Sequence, residues 1–189
     1  MSVREVPYTI SPSNDSTLAI ELSKTGLMRR KKHTLFFERF SGNLSYVADQ
    51  PEISRASIVI DANSVVCRDT WLKSKKQQLV TQYVRDEVLV TDGHPEVQFS
   101  SSRISAKALR GFVVEGELQI CGASRMVKVN VVLNEKKHDT IQVDGDATIC
   151  LSDFGIKPPS AMLGLIGTRD EALVRILLWA TPAGRVRPA

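Results

Sequence analysis

The chain has 189 residues, of which 42% are hydrophobic and 6% aromatic, and its formal net charge at pH 7 is +4. This length suits one domain, and the hydrophobic content is that of an ordinary soluble protein with a real core. No apolar run approaches the roughly 20 residues that a membrane helix needs, which argues against a helical membrane protein.

The N-terminal segment and the cysteines predict the compartment. Residues 1–7 carry an acid and a proline where a signal peptide would need an apolar core. Cys67, Cys121 and Cys150 have no short spacing and are odd in number, which favours free thiols over a disulfide framework. We therefore expect a cytoplasmic protein.

The first third of the chain predicts short strands separated by turns. Tyr8–Ile10 forms a first strand, and Leu18, Ile20 and Leu22 alternate with mainly polar residues in the second. The β-rich stretch from 33 to 46 contains Phe37 and Phe40, three positions apart, which strict alternation would place on opposite faces. A bulge or sharp bend near Ser41–Gly42 is therefore expected. Ala56, Ile58 and Ile60 share one face of the next strand.

The periodicity changes between about 69 and 85, where it predicts the only long helix. Asp69 or Thr70 is the expected N-cap, and the helix interrupts the strand order as a crossing or lid. The apolar stripe predicted for it consists of Trp71, Leu72, Leu79, Val80 and Tyr83.

The remaining chain predicts an antiparallel sheet that curls around its apolar side. Three alternating runs follow one another at 112–120, 126–133 and 141–149, and Leu173–Trp179 closes the sheet. Residues 160–168 read as a small, glycine-containing loop. We predict a mainly β protein, an antiparallel barrel of about eight strands with one helical excursion at about 69–85. The whole chain, 1–189, is expected to be a single domain, with the barrel at about 8–180 and a loose tail at about 182–189.

Few residues are arranged for catalysis or metal binding. The histidines at 33, 94 and 138 show no metal-ligand spacing, and Cys67 beside Arg68 is the best setting for a reactive thiol. Residues 164–167 lack the spacing of a phosphate-binding loop, and no Gly-x-Ser-x-Gly elbow is present. We therefore expect no enzyme activity, no cofactor and no metal.

Positive charge is concentrated in two blocks, Arg29–Lys32 and the lysines at 73, 75 and 76. These blocks are either solvated surfaces or sites of attraction to anionic head groups or nucleic acid. The blocks lack the interleaved aromatic residues of a single-strand stacking surface, so nucleic acid is not an expected partner.

Six short motifs occur in an order and spacing that resemble the YceI-like family over roughly Tyr8 to Ala180. They are Tyr8–Ser13, Phe37–Leu44, Ile60–Ser64, His94–Ser101, Gly116–Arg125 and Ser152–Ile156. The resemblance implies a lipocalin-like β-barrel that carries polyisoprenoids or other long amphipathic chains. Family members often have aspartate where Ser11 stands and histidine where Cys121 stands, and many are exported. The segment 24–28 and the basic block look like those of a distinct branch.

The leading hypothesis is a non-enzymatic carrier of a long-chain lipid of polyisoprenoid, quinone or fatty-acyl type. Arg29, Arg30, Lys31 and Lys32 are candidates for holding a phosphate or carboxylate head group at the barrel entrance. The candidate lining residues, which a filled core would explain equally well one by one, are Leu18, Ile20, Leu22, Phe37, Ile58, Ile60, Phe99, Phe112, Val114, Leu118, Ile120, Val129, Val131, Val143, Ile149, Ile176 and Leu178.

The alternative is a filled barrel that acts as a protein–protein interaction module without a small-molecule ligand, recruiting a partner through an exposed edge or the 71–83 helix. Besides an apolar or amphipathic small molecule, the candidate partners are a membrane surface, touched transiently, and a second copy of the chain in a homodimer. Alternation along the strands predicts which side chains face inward, whereas the size of the interior depends on how the strands close.

Overall fold

The computed structural model describes residues 5–108, 111–135, 139–161 and 166–184. Within these residues the chain forms twelve strands and one α-helix, which a π-helical turn at Val84–Val88 extends. No helix in this part of the chain is long and apolar enough to span a membrane. The strands and the helix are β1 Val6–Ile10, β2 Thr17–Gly26, β3 Lys32–Phe37, β4 Phe40–Tyr46, β5 Arg55–Asp61, β6 Val65–Cys67, α1 Ser74–Tyr83, β7 Glu96–Ala108, β8 Gly111–Ile120, β9 Ala123–Glu135, β10 Ile141–Cys150, β11 Ser160–Ala161 and β12 Ile166–Pro182.

The strands close into an antiparallel barrel, which confirms the predicted fold class. Eight strands form the ring in the order β1, β4, β5, β7, β8, β9, β10 and β12, and the pairing of β1 with β12 completes it. Strand β12 is long enough to pair with β1 near its C-terminal end and with β2 along the rest of the same edge. Strands β3 and β6 extend the sheet beyond β2 at the helical end of the barrel.

The register places the apolar residues of neighbouring strands on the same, inner face. Val114 pairs with Val129 between β8 and β9, and Leu178 pairs with Val143 between β12 and β10. Because side chains alternate across each strand, one such pair fixes the orientation of the whole strand. The three alternating runs of the C-terminal half therefore all contribute to one interior.

The helix differs from the prediction in its start and in its buried face. It begins at Ser74 instead of Asp69, and Lys73 at the N-cap makes no side-chain capping hydrogen bond. Leu79 and Tyr83 are 57% and 46% exposed, whereas Val84, in the π-helical turn, is buried. Leu72 and Val80 of the predicted stripe are partly buried and pack against the core. The fully buried contact lies in the wider turn after α1, which the periodicity of a regular helix does not anticipate.

Phe37 and Phe40 are both buried, and a strand break brings them to the same interior. Strand β3 ends at Phe37 and β4 begins at Phe40, so the bend lies at residues 38–39, and the prediction near Ser41–Gly42 is wrong. Strand β12 begins at Ile166, within the predicted loop at 160–168. Residues 162–165 of that loop and residues 185–189 of the predicted tail lie outside the described residues.

Candidate functional site: two apolar cavities inside the barrel

The barrel interior contains a distal cavity of about 150 Å³, bounded by the β4–β5 connection and the inner faces of the ring strands. Its lining is apolar apart from the side chains of Tyr46 and Ser54. Thirteen of the predicted lining residues lie here: Leu18, Ile58, Ile60, Phe99, Phe112, Val114, Leu118, Val129, Val131, Val143, Ile149, Ile176 and Leu178.

A helix-side cavity of about 160 Å³ lies at the other end of the barrel, under α1 and the π-helical turn. The remaining four predicted residues, Ile20, Leu22, Phe37 and Ile120, line it. Ile149 lines both cavities. Each cavity is close in size to one that holds a benzene-sized group, and together they reach the order of 300 Å³ at which ligand pockets begin.

The packing around the distal cavity shows that the interior is not filled. Ile104, Val114, Val129 and Ala147 form a buried cluster separate from the main core. Phe99 packs against that cluster and is only half-buried, although its side chain lies inside the barrel. A closely packed interior would leave one contiguous core and no accessible surface on such residues.

The two cavities follow one another along the same strands. Leu18 lines the distal cavity, whereas Leu22 and Lys24 of the same strand line the helix-side cavity. At about 3.3 Å per residue, Leu18 and Lys24 are about 20 Å apart. The interior is therefore elongated, a shape that suits a flexible chain better than a planar ligand.

Lys24 and His33 are polar residues of the helix-side cavity that sequence reasoning missed. Burial lowers the pKa of the Lys24 ammonium from its ordinary value, and the described residues provide it with no acidic partner. The signal was present in the sequence, because Lys24 continues the inward alternation of Leu18, Ile20 and Leu22. A partly buried cation that lines an apolar cavity is suited to an anionic head group.

Residues 29–31 of the basic block lie in the turn between β2 and β3, at the helix-side end, and Lys32 begins β3; none of the four lines either cavity. Lys32 forms a 2.8 Å ion pair with Glu21, and the Lys31 ammonium lies 5.5 Å from the centre of the Trp71 ring. Arg29 and Arg30 are exposed. The Lys24 amide donates a 3.0 Å hydrogen bond to the Lys31 carbonyl, so the turn adjoins the lysine that lines the cavity.

A polar cluster lies beside the helix-side cavity, where the sequence predicted only a helix cap. His33 Nδ1 is 2.5 Å from Asp69 Oδ2, and the Cys67 thiol donates to the same oxygen at 3.2 Å. Burial, together with the neighbouring Asp69, raises the pKa of Cys67 to about 11. Cys67 therefore does have a histidine nearby, but it stays a thiol, and both groups share one carboxylate oxygen instead of forming a nucleophile–base pair.

The sequence comparison and the structural comparisons agree on the fold. Residues 8–176 match the sequence profile of the YceI-like domain. BcnA from Burkholderia cenocepacia is similar over 87% of this chain and 96% of its own, with 20% identity and a TM-score of 0.71. A polyisoprenoid binding domain from Saccharophagus degradans, implicated in plant cell wall breakdown, is similar over 92% of this chain and 98% of its own, with 16% identity and a TM-score of 0.63.

The YCEI protein of Campylobacter jejuni is similar over 77% of this chain and 82% of its own, with 15% identity and a TM-score of 0.58. No curated protein matches the chain at a significant level. At these identities the solved structures establish the likeness of the fold alone, so the two cavities have to be interpreted from the residues of this chain.

Proposed function

The chain belongs to the YceI-like domain family, and we propose that it binds and carries a long-chain amphipathic lipid of polyisoprenoid, quinone or fatty-acyl type. The observation that carries this proposal is the pair of apolar cavities, arranged end to end inside one barrel. The similar domain from Saccharophagus degradans is described as polyisoprenoid binding, which supports the same ligand class here. The role is binding, and catalysis has no part in it.

The energetics of the interior are sufficient for such a ligand. Two benzene-sized cavities accept about 12 methylenes, which gain about 10 kcal/mol at roughly 0.8 kcal/mol each. Loss of translational and conformational freedom removes part of that gain, and head-group contacts add to it, which leaves dissociation constants of about micromolar. Both cavities have to be occupied for this gain, and Ile149, which lines both, has to accommodate the chain as it passes.

We place the polar head group at the helix-side end, near Lys24. Of the described residues, the polar ones that line the distal cavity are Tyr46 and Ser54, whereas Lys24 and His33 line the helix-side cavity. An anionic head would offset the cost of burying the Lys24 ammonium. Arg29–Lys32 at the adjoining turn would then attract the head group from a distance through their summed charge.

The same end is suited to transient contact with an anionic membrane surface. Leu27 in the basic turn is 76% exposed, and Leu79 on α1 is 57% exposed. Exposed apolar side chains next to cationic ones are the combination that binds at a bilayer interface. Such contact would bring the helix-side cavity close to the lipids from which the ligand is taken.

Native mass spectrometry of protein purified from its own cells, followed by organic extraction and identification of the bound lipid, tests the proposal. We expect one long-chain molecule per protein molecule. A protein that carries nothing and also fails to bind isoprenoid and fatty-acyl probes would refute the carrier function and favour an interaction module.

A further inference from the structure

We propose that His33, Cys67 and Asp69 form a binding site for one divalent transition-metal ion of the zinc class. Their ligand atoms, His33 Nδ1, Cys67 Sγ and a carboxylate oxygen of Asp69, all lie within 4.8 Å of one another. His33 is 34 residues or more from the other two in sequence, so chain spacing predicts no such site. Of these three side chains, His33 alone also lines the helix-side cavity. The inference does not depend on the lipid proposal, because metal binding is measured on protein without lipid.

The distances require only a small adjustment to admit an ion. Ligand nitrogen and oxygen atoms at about 2.0 Å from a tetrahedral zinc ion are about 3.3 Å apart. The His33 Nδ1 to Asp69 Oδ2 distance of 2.5 Å must therefore open by somewhat less than an ångström. Because the His33 ring lines the helix-side cavity, it has room to move in that direction.

The three ligand types indicate which ions fit. Thiolate and imidazole favour zinc and similar transition metals, whereas magnesium and calcium prefer oxygen ligands alone. Binding displaces the thiol proton of Cys67 to solvent, and the thiolate and the Asp69 carboxylate together balance the two positive charges of the ion. A neutral site suits this position, because the Asp69 side chain is only 2% exposed. Three protein ligands leave a fourth position for water.

Neighbouring groups already hold the ligands in orientation. The Thr34 amide donates to Asp69 Oδ1 at 2.8 Å, which leaves Oδ2 directed at the other two ligands. The Cys67 amide donates to Thr81 Oγ1 at 2.8 Å, and the ring centre of His33 is 5.3 Å from that of Trp71. Contacts of this kind fix ligand orientation in metal sites and contribute to affinity.

An open groove of about 530 Å³ between β6 and α1 leads to the proposed site on the side of Cys67, which lines it. The groove mixes polar and apolar side chains: Gln77, Thr81 and Asp86 offer oxygen atoms to a hydrated ion, and Arg85 adds one positive charge. His33 and Asp69 do not line the groove, so an ion that enters by it meets Cys67 first.

Titration of metal-free protein with Co²⁺ tests the site, because cobalt bound to thiolate shows a charge-transfer absorption band that cobalt bound only to nitrogen and oxygen lacks. We expect one Co²⁺ per chain with that band. The Cys67→Ser variant should lose the band, and its dissociation constant should rise by about 100-fold or more. The matched control is Cys121→Ser, which removes a half-buried free thiol outside the cluster. This variant should keep the absorption band and the dissociation constant of the wild type.

A second measurement covers the case in which Cys67→Ser does not fold. In the wild type, Zn²⁺ at a concentration a hundredfold above its dissociation constant should raise the midpoint of thermal unfolding by about 5 °C or more. His33→Gln changes a partly exposed residue and should abolish this stabilisation. Any one of three results would overturn the proposal: no cobalt band in the wild type, a band that survives in Cys67→Ser, or equal stabilisation of the wild type and His33→Gln by zinc.

Discussion

Ala147→Leu provides a direct test of whether the barrel is hollow. Ala147 lines the distal cavity from β10, and the substitution adds three carbon groups to a space of about 150 Å³. At about 0.8 kcal/mol each they gain about 2.4 kcal/mol on burial, and ordering the leucine side chain costs about 0.5–1 kcal/mol. We therefore expect the ligand-free variant to be more stable by about 1.5 kcal/mol, which corresponds to about 3–6 °C in the midpoint of thermal unfolding.

The matched control is Ala172→Leu, which adds the same atoms at a fully buried alanine that lines neither cavity. Inserting carbon atoms into a filled region forces neighbours apart, so this variant should lose about 1–3 kcal/mol. Urea unfolding of delipidated wild type and both variants measures the two effects. In addition, Ala147→Leu should bind long-chain lipids more weakly, because the leucine occupies their space. Destabilisation of both variants to the same extent would refute the hollow interior.

Three further predictions concern the interior and its surroundings. A Cβ at Gly116 would clash with the Ser100 carbonyl oxygen and would lie 2.6 Å from the Phe99 ring. Gly116→Ala should therefore lose about 1–3 kcal/mol in urea unfolding, and it should weaken lipid binding where the Phe99 ring moves into the distal cavity. Unchanged stability and unchanged lipid binding would contradict these contacts. In metal-free protein, burial raises the pKa of Cys67 to about 11, against 9.0 for a free thiol. As the pH rises, the unfolded chain therefore loses the thiol proton before the folded chain does. The free energy of unfolding should fall by about 2 kcal/mol at most between pH 9 and 11. Burial also raises the pKa of the Cys121 thiol, so Cys67→Ala should show a smaller fall, and a pH profile identical to that of the wild type would disprove the assignment. Lys24→Gln should weaken the binding of anionic-headed lipids about tenfold, as measured by fluorescence, and should leave the binding of neutral lipids unchanged. Charge reversal of residues 29–32 should act in the same direction. Equal losses of affinity for anionic and neutral lipids would refute the head-group assignment.

Much of the fold could be predicted because alternation is a local property of each strand. The runs at 112–120, 126–133 and 141–149 became β8, β9 and β10 with the expected faces inward. The bounds of the helix were harder to predict. Asp69 resembles a helix cap in sequence, but its carboxylate accepts hydrogen bonds from His33, the Thr34 amide and Cys67, and α1 starts five residues later.

The lining of the interior was predictable residue by residue, and its ligand remains a prediction. All seventeen candidate residues lie along the two cavities, since an inward position follows from the period of two. Lys24 obeys the same period and could have been included. The residues contributed by the π-helical turn, such as Val84 and Val88, could not, because the predicted apolar stripe ends at Tyr83 and no local pattern indicates the wider turn after it.

The sequence by itself determined most of the strands, their inner faces and the family, because each of these depends mainly on residues close together in the chain. The tertiary structure alone decided that the interior contains two cavities, since a void depends on how eight strands close around their side chains. It also brought His33 to Cys67 and Asp69, through the pairing of β3 with β6. Contacts between residues distant in sequence arise only when the sheet closes, and such contacts form both the cavities and the proposed metal site.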